Sequence, residues 1–210
     1  MGKTGERKKR SDAKVDVKPT VELELYDCVS RISHITNTPM KDVGELVCRN
    51  GLYSRKVIEH LSEKFKRNYK FGNTLFVGHP DLFTERTKKR KGPTRRLTMR
   101  FTQDVYNDLC ELAFAMDTTI STCASILIES SVKDTEILNE YVTSYVHGEL
   151  DTNRKKQLKL VLEFIRKENP YEDDITLTQL ISYIMDEFME NGRNLKIVVH
   201  DWLDSVTEKE

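Results

Sequence analysis

The sequence predicts a mostly α-helical protein with a few short β-strands. Apolar residues recur every three or four positions in several segments separated by Gly, Pro and Asn, which is the pattern of amphipathic helices. Two short stretches alternate apolar and polar residues instead, as half-buried strands do. Charged residues make up 32% of the 210 positions and no run of about 18 apolar residues occurs, so we expect no membrane-spanning helix.

The first part of the chain predicts one strand, three helices and a hairpin. Residues 1–18 are basic and polar without an apolar stretch, and we interpret them as a disordered arm rather than a secretory signal. Residues 21–25 alternate apolar and acidic side chains and predict the strand. Residues 70–77 predict a hairpin that turns at Gly72-Asn73. The helical stripes are formed by Val29, Ile32 and Ile35, by Val43, Leu46 and Val47, and by Val57, Ile58, Leu61 and Phe65.

The middle of the chain predicts a second strand followed by two helices. Residues 96–101 alternate basic or hydroxyl side chains with apolar ones and predict the strand. A helix over residues 103–116, a loop at Asp117-Thr118-Thr119 and a helix over residues 120–132 follow. Residues 141–147 predict a short extended piece or a helix end.

The C-terminal part carries two more amphipathic patterns, over residues 153–168 and 178–190. We interpret it as an oligomerisation or partner-binding module, and the alternative is that its helices complete the core. The predicted divisions are a disordered basic arm (1–18), an N-terminal helical domain (19–83), a basic linker (84–94), a strand–helix–helix domain (95–150) and a C-terminal helical module (151–210).

Charge is strongly segregated along the chain, although the formal net charge is zero. Residues 84–100 hold eight basic side chains and one acidic one, and residues 101–150 hold one basic and nine acidic side chains. Basic runs of this kind bind polyanions through phosphate contacts. The run Lys88-Lys89-Arg90-Lys91 therefore indicates a phosphate-binding segment, with a solvated linker as the alternative.

The second strand and its two helices resemble a known DNA-binding family. The residues that carry the resemblance are the strand Arg96-Leu97-Thr98-Met99-Arg100-Phe101, the helix over 103–116, the loop Asp117-Thr118-Thr119 and the helix over 120–132. This segment resembles the ribbon-helix-helix family, the group of the Met and Arc repressors. In that family two copies of the strand pair antiparallel, and the two-stranded ribbon enters the major groove of DNA.

The resemblance implies roles for individual side chains. Arg96, Thr98 and Arg100 are expected on the outward side of the ribbon, where arginine binds guanine O6 and N7 and threonine contacts base edges. Phosphate contacts are expected at the start of the second helix, because unbonded N–H groups and the helix dipole attract anions there. The residues expected to contact phosphate are Lys88, Lys89, Arg90, Lys91, Arg95, Thr118, Thr119 and Ser121.

Residues 20–52 are similar to a degenerate second copy of this unit. Its outward strand residues would be Glu22 and Glu24, which repel phosphate, and the distance from strand to second helix is about one helical turn shorter than in the other copy. Two arrangements are open: a pseudo-dimer within one chain, or a homodimer, which is the simpler one. The copy could also be a separate small helical domain.

The sequence contains no recognisable pattern of catalytic or metal-binding residues. The histidines form no HExxH motif, the four cysteines have no CxxC spacing, and no GxSxG motif occurs. We therefore expect no enzyme activity, no metal and no cofactor, and we expect unpaired thiols in a reducing compartment.

These observations predict a sequence-specific protein for double-stranded DNA, acting as a homodimer or higher oligomer in the cytoplasm, with the nucleoid. The favoured role is transcriptional repression or the control of a mobile element such as a plasmid or virus. One alternative is an architectural accessory protein at a replication, segregation or transfer origin, which recruits a protein partner through the C-terminal module. The other is a protein–protein interaction module without a nucleic-acid role. No membrane partner is expected.

Overall fold

The protein is mostly helical with short antiparallel strand pairs, as the sequence predicts. A computed structural model describes residues 14–82, 92–145, 150–167 and 169–171. The strands are β1 (Val15–Val17), β2 (Thr20–Glu22), β3 (Tyr69–Phe71), β4 (Thr74–Phe76), β5 (Thr94–Arg96) and β6 (Met99–Phe101), and the helices are α1 (Leu23–Thr36), α2 (Met40–Tyr53), α3 (Arg55–Ser62), α4 (Gln103–Ala115), α5 (Ile120–Lys133), α6 (Thr135–Tyr145) and α7 (Thr152–Arg166).

The same order of elements occurs twice, about 80 residues apart. A strand segment and three helices (β1, β2, α1, α2 and α3) are followed by a second strand segment and three helices (β5, β6, α4, α5 and α6). The starts of α2 and α5, Met40 and Ile120, are 80 residues apart, and so are those of α3 and α6, Arg55 and Thr135. The chain therefore contains a structural repeat, which we call the first and second copy.

Both copies turn from their first to their second helix by the same backbone motif. Asn37 and Asp117 adopt the left-handed conformation, with φ of 52° and 54°. The next N–H groups, of Thr38 and Thr118, donate to the carbonyls five residues earlier at 3.1 and 2.9 Å. This is the Schellman motif, which satisfies carbonyls at the end of a helix and fixes the direction of the chain.

The strands of the two copies pair with each other within the chain. β1 pairs with β6 and β2 with β5, both antiparallel and in one continuous register. Between the two pairs, the Leu97 N–H donates to the Pro19 carbonyl at 3.0 Å. Residues 15–22 and 94–101 thus form one two-stranded structure, which we call the ribbon. Of the two arrangements that the sequence left open, the structure has the pairing within one chain rather than a ribbon shared by two chains.

The first strand lies earlier in the chain than predicted. The sequence predicts a strand at residues 21–25 and a disordered arm up to residue 18, but β1 begins at Val15 and α1 already begins at Leu23. The prediction is wrong because Leu25 belongs to the buried stripe of α1, at helical spacing from Val29. With the corrected strand, the distance from the end of the strand segment to the second helix agrees between the two copies to within one residue, so the predicted shortening by a helical turn is also wrong.

The second helices of the two copies cross at the centre of the fold. α2 packs against α5, and Gly51 of α2 lies against Ser131 of α5. A Cβ atom on Gly51 would lie 2.8 Å from the Ser131 Cβ, which is closer than carbon atoms approach in proteins. Gly51 and Ser131 occupy equivalent positions of the repeat. An approximate twofold axis relating the copies therefore passes between these two helices.

The buried apolar residues of the three predicted domains belong to one continuous core. α7 lies along α1: Asn153 at one end contacts His34 at 3.1 Å, and Lys167 after the other end contacts Glu24 at 3.5 Å. Within the described part of the C-terminal module, α7 therefore completes the core. The second predicted helix of that module, with all of residues 172–210, lies outside the described residues.

Two smaller predictions concern local structure. The hairpin at residues 70–77 is confirmed as β3 and β4, with Gly72 at a φ of 55° in the turn. Residues 141–145, predicted as an extended piece or a helix end, are the end of α6. Among the described residues, no single helix is long and apolar enough to cross a membrane. α4 and α5 taken together are long and apolar enough, but they are bent by 94° at the break between them.

Candidate nucleic-acid interface

The ribbon presents the predicted base-contacting side chains on its solvent side. Arg96, Thr98 and Arg100 are exposed, whereas the residues that alternate with them are buried in the core. This follows from the period of two along a strand, because successive side chains point to opposite faces. The structure thus brings all three predicted side chains to one exposed face.

The facing strand adds polar side chains that the sequence prediction missed. Asp16 and Lys18 are exposed and Thr20 is partly exposed on the same face of the ribbon. The register places Asp16 opposite Arg100 and Thr20 opposite Arg96. The signal that could have found them is the same alternation of apolar and polar residues, which starts within the segment predicted as a disordered arm.

One end of the ribbon holds a cluster of ion pairs. Asp16 Oδ1 lies 2.9 Å from Arg100 Nε, and Asp16 Oδ2 lies 3.5 Å from Lys18 Nζ. Just before β1, Lys14 Nζ lies 2.6 Å from Glu45 Oε1 of α2. Exposed pairs of this kind contribute little to stability, but they restrain the cations and offset their charge. We call this cluster the Arg100 end.

The opposite end has a different chemistry. Within the described part of the chain Arg96 forms no ion pair, and its neighbour across the ribbon, Thr20, is neutral. The Ser125 hydroxyl of α5 donates to the Thr20 carbonyl at 3.2 Å, which holds the early turns of α5 beneath this end. The Thr119 hydroxyl caps α5, and Ser121 is exposed in its first turn. We call Thr20, Arg96 and the first turn of α5 the Arg96 end.

The residues expected to contact phosphate fall into three groups. Thr119 and Ser121 lie at the exposed start of α5, as predicted. Thr118, by contrast, is only 5% exposed after the Schellman turn and its hydroxyl is buried, which disfavours the predicted phosphate contact. Arg95 lies in β5 with its guanidinium 5.4 Å from the centre of the Tyr26 ring. The run Lys88, Lys89, Arg90 and Lys91 lies outside the described residues.

The thiols of the buried cysteines are unreactive. Burial raises the pKa of the Cys28 thiol to about 12 and also raises the pKa of the Cys48 and Cys123 thiols. These groups therefore stay protonated at neutral pH, and a protonated thiol is a poor nucleophile and metal ligand. Among the described residues, no group of three or more His, Cys, Asp or Glu side chains is placed to hold a metal ion.

No protein-family model, no curated protein and no solved structure matches the chain.

Proposed function

We propose that this protein binds double-stranded DNA sequence-specifically by placing the ribbon in the major groove. The observation that carries the proposal is the exposed face of the ribbon, with Arg96, Thr98 and Arg100 along one strand and Lys18 on the facing strand, while the other face is anchored in the core. Arginine donates two hydrogen bonds to guanine, and threonine contacts several base edges. A rigid strand presents these side chains at a fixed spacing, and sequence-specific contact with successive base pairs requires such a spacing.

The dimensions of the ribbon suit this task. Its strands lie about 5 Å apart, as in any antiparallel pair, and the major groove is about 12 Å wide. At about 3.3 Å per residue, the paired segment extends roughly 26 Å, which spans several base pairs.

The supporting helices favour the same function. A ribbon above two crossing second helices is the arrangement that the ribbon-helix-helix resemblance implies, here with both copies in one chain. The start of α5 offers N–H groups and a positive dipole end for a phosphate beside Thr119 and Ser121. The proposed role is transcriptional repression or control of a mobile element such as a plasmid or virus, because an occupied major groove is closed to other proteins that read the same base pairs.

The test selects duplexes from a random pool with the purified full-length protein and titrates the selected duplex by fluorescence anisotropy. The double variant Arg96→Ala/Arg100→Ala should bind the selected duplex roughly 10- to 100-fold more weakly and should lose much less on random duplex. Arg55→Ala is the matched control: Arg55 is exposed and ion-paired on α3 with Glu59, and its loss should leave binding unchanged. Failure to enrich any sequence would contradict the proposal.

The basic run should contribute affinity without sequence choice. Phosphates are alike at every sequence, and each neutralised phosphate adds about −0.9 to the slope of log K against log salt. Replacing Lys88, Lys89, Arg90 and Lys91 by glutamine should therefore flatten this slope by about 2–4 and leave the ratio of specific to random binding within a few-fold. An unchanged slope would show that the run does not contact DNA.

A further inference from the structure

We infer that one chain reads one asymmetric duplex site, mainly through the Arg96 end of the ribbon, while Asp16 holds Arg100 back from base recognition. This inference rests on the proposed DNA binding and specifies its substrate. The site is a non-palindromic sequence occupied by a single chain.

The outer face of the ribbon lacks side-chain symmetry. The backbone repeats, so equivalent positions lie on opposite sides of the approximate twofold axis. A homodimer presents identical side chains to its two half-sites and so prefers palindromes. In this chain every equivalent position differs in charge, and the two halves of a bound site meet different chemistry. The equivalent pairs are Asp16 and Arg96, Lys18 and Thr98, and Thr20 and Arg100.

Arg100 is already engaged in an ion pair within the protein. Its Nε lies 2.9 Å from Asp16 Oδ1 in an ion pair, while Lys18 contacts the other oxygen of the same carboxylate. To bind the acceptor edge of guanine, Arg100 has to share or break this contact. The carboxylate also repels guanine O6 and N7, which are both acceptors.

Arg96 has none of these constraints. It faces neutral Thr20. The acidic residue on the neighbouring strand is Glu22, which lies two residues further along that strand, opposite Thr94. No ion pair involves Arg96 in the described ranges. The early turns of α5 lie beneath this end through the bond from Ser125 to the Thr20 carbonyl. Base contact and phosphate contact therefore coincide at the Arg96 end.

The experiment compares Arg96→Ala with Arg100→Ala, two changes of identical chemistry at opposite ends of the ribbon. The full chain selects duplexes from a random pool, and the stoichiometry on the selected duplex is measured by analytical ultracentrifugation. We expect a motif without twofold symmetry and one chain per duplex. Arg96→Ala should lose affinity about tenfold or more, whereas Arg100→Ala should lose less than about threefold.

Asp16→Asn provides the second arm of the test. It removes the charge that holds Arg100 and keeps nearly the same shape, so affinity should rise by at least about threefold and a new base preference should appear on the side of the site that the wild type leaves unread. Glu45→Gln is the matched control, because it removes an acid from the same end that pairs with Lys14 rather than with Arg100. It should not create a base preference.

The outcomes separate this inference from the proposed function. A palindromic motif, two chains per duplex, or equal losses at the two arginines would overturn the inference and leave sequence-specific binding standing. An Asp16→Asn variant with the base preference of the wild type would overturn it as well. If the full chain selects no sequence at all, the inference and the proposed function both fail.

Discussion

Asn37 shows how one backbone angle defines a turn in this protein. Its left-handed conformation costs a residue with a Cβ about 1–2 kcal/mol, a cost that asparagine lowers and glycine avoids. Asn37→Ala should therefore reduce the free energy of unfolding by about 1 kcal/mol, and Asn37→Gly should leave it unchanged or raise it slightly. Urea unfolding of both variants checks this. Equal stability of the alanine and glycine variants would contradict the role of the angle.

Single residues also show the limits of sequence-based prediction. The exposure of Arg96, Thr98 and Arg100 was predictable, because alternation along a strand depends only on local geometry. The pairing of Arg100 with Asp16 was not, because it depends on the register between two strands that lie far apart in the chain. The burial of Thr118 depends on how the Schellman turn packs, and composition does not encode this.

His60 makes stability depend on pH. Burial, followed by the nearby Lys64, lowers the pKa of His60 below 6.5, and its ring packs edge-on against Tyr171 with centres 5.5 Å apart. As the pH falls, His60 therefore becomes protonated at a higher pH in the unfolded chain than in the folded protein. The contribution of the neutral imidazole is complete above the unfolded pKa and is lost as the pH falls through the folded pKa.

His60→Gln should consequently lose less thermal stability than the wild type when the pH drops from about 7.5 to about 5.5, the range in which histidine titrates. Melting curves followed by circular dichroism at both values measure this difference. The control is His79→Gln at an exposed position, which should follow the wild type. A His60→Gln protein with the same loss on acidification as the wild type would refute the assignment.

At the scale of elements, the helices were predictable and the first strand was not. Helical stripes extend over many residues and give a strong signal, whereas an alternation of five residues fits a strand and the start of a helix equally well. Pro19 also lies within the ribbon and weakens the strand pattern, because proline is rare inside sheets. Its carbonyl nevertheless accepts the bond from Leu97, so the ribbon continues past it.

The crossing of α2 and α5 gives a prediction in which two effects oppose each other. A glycine-to-alanine change inside a helix usually adds about 0.5–1 kcal/mol of stability, but a Cβ on Gly51 collides with Ser131. Gly51→Ala should therefore destabilise the fold by about 1–3 kcal/mol, as overpacking does.

Adding Ser131→Gly to Gly51→Ala should restore part of the loss, because it removes the atoms that collide. A double-mutant cycle by urea unfolding measures this coupling. Gly44→Ala is the control: the atoms within 3.0 to 3.2 Å of its Cβ belong to the Leu97 and Met99 side chains, which can shift, so the cost should be smaller. Purely additive effects of the Gly51 and Ser131 changes would exclude the collision.

At the scale of the molecule, the segregation of charge has a structural meaning that the sequence only suggests. The basic strand of the second copy lies beside a strand of the first copy that carries Asp16, so Asp16 offsets the charge of Arg100 at one end of the ribbon, whereas Arg96 at the other end forms no ion pair among the described residues. Composition shows the segregation, but the pairing of the two copies decides which cation stays unpaired. The sequence left that pairing open, because a homodimer and a pseudo-dimer satisfy the same local pattern.

The pairing within one chain predicts that the N-terminal strand is indispensable. Deleting residues 1–22 removes the partner of β5 and β6 and takes Val17 and Val21 out of the core. Burial of two valines contributes about 3–6 kcal/mol, and small domains have only about 5–15 kcal/mol in total. The truncated chain should lose cooperative unfolding, or regain it only as a homodimer whose two β5–β6 strands pair with each other. Light scattering after size exclusion and thermal melting distinguish these states.

Deletion of residues 1–13 is the matched control, because it keeps every described strand, and it should melt like the full chain. A stable monomer without residues 1–22 would show that the ribbon does not depend on its N-terminal strand.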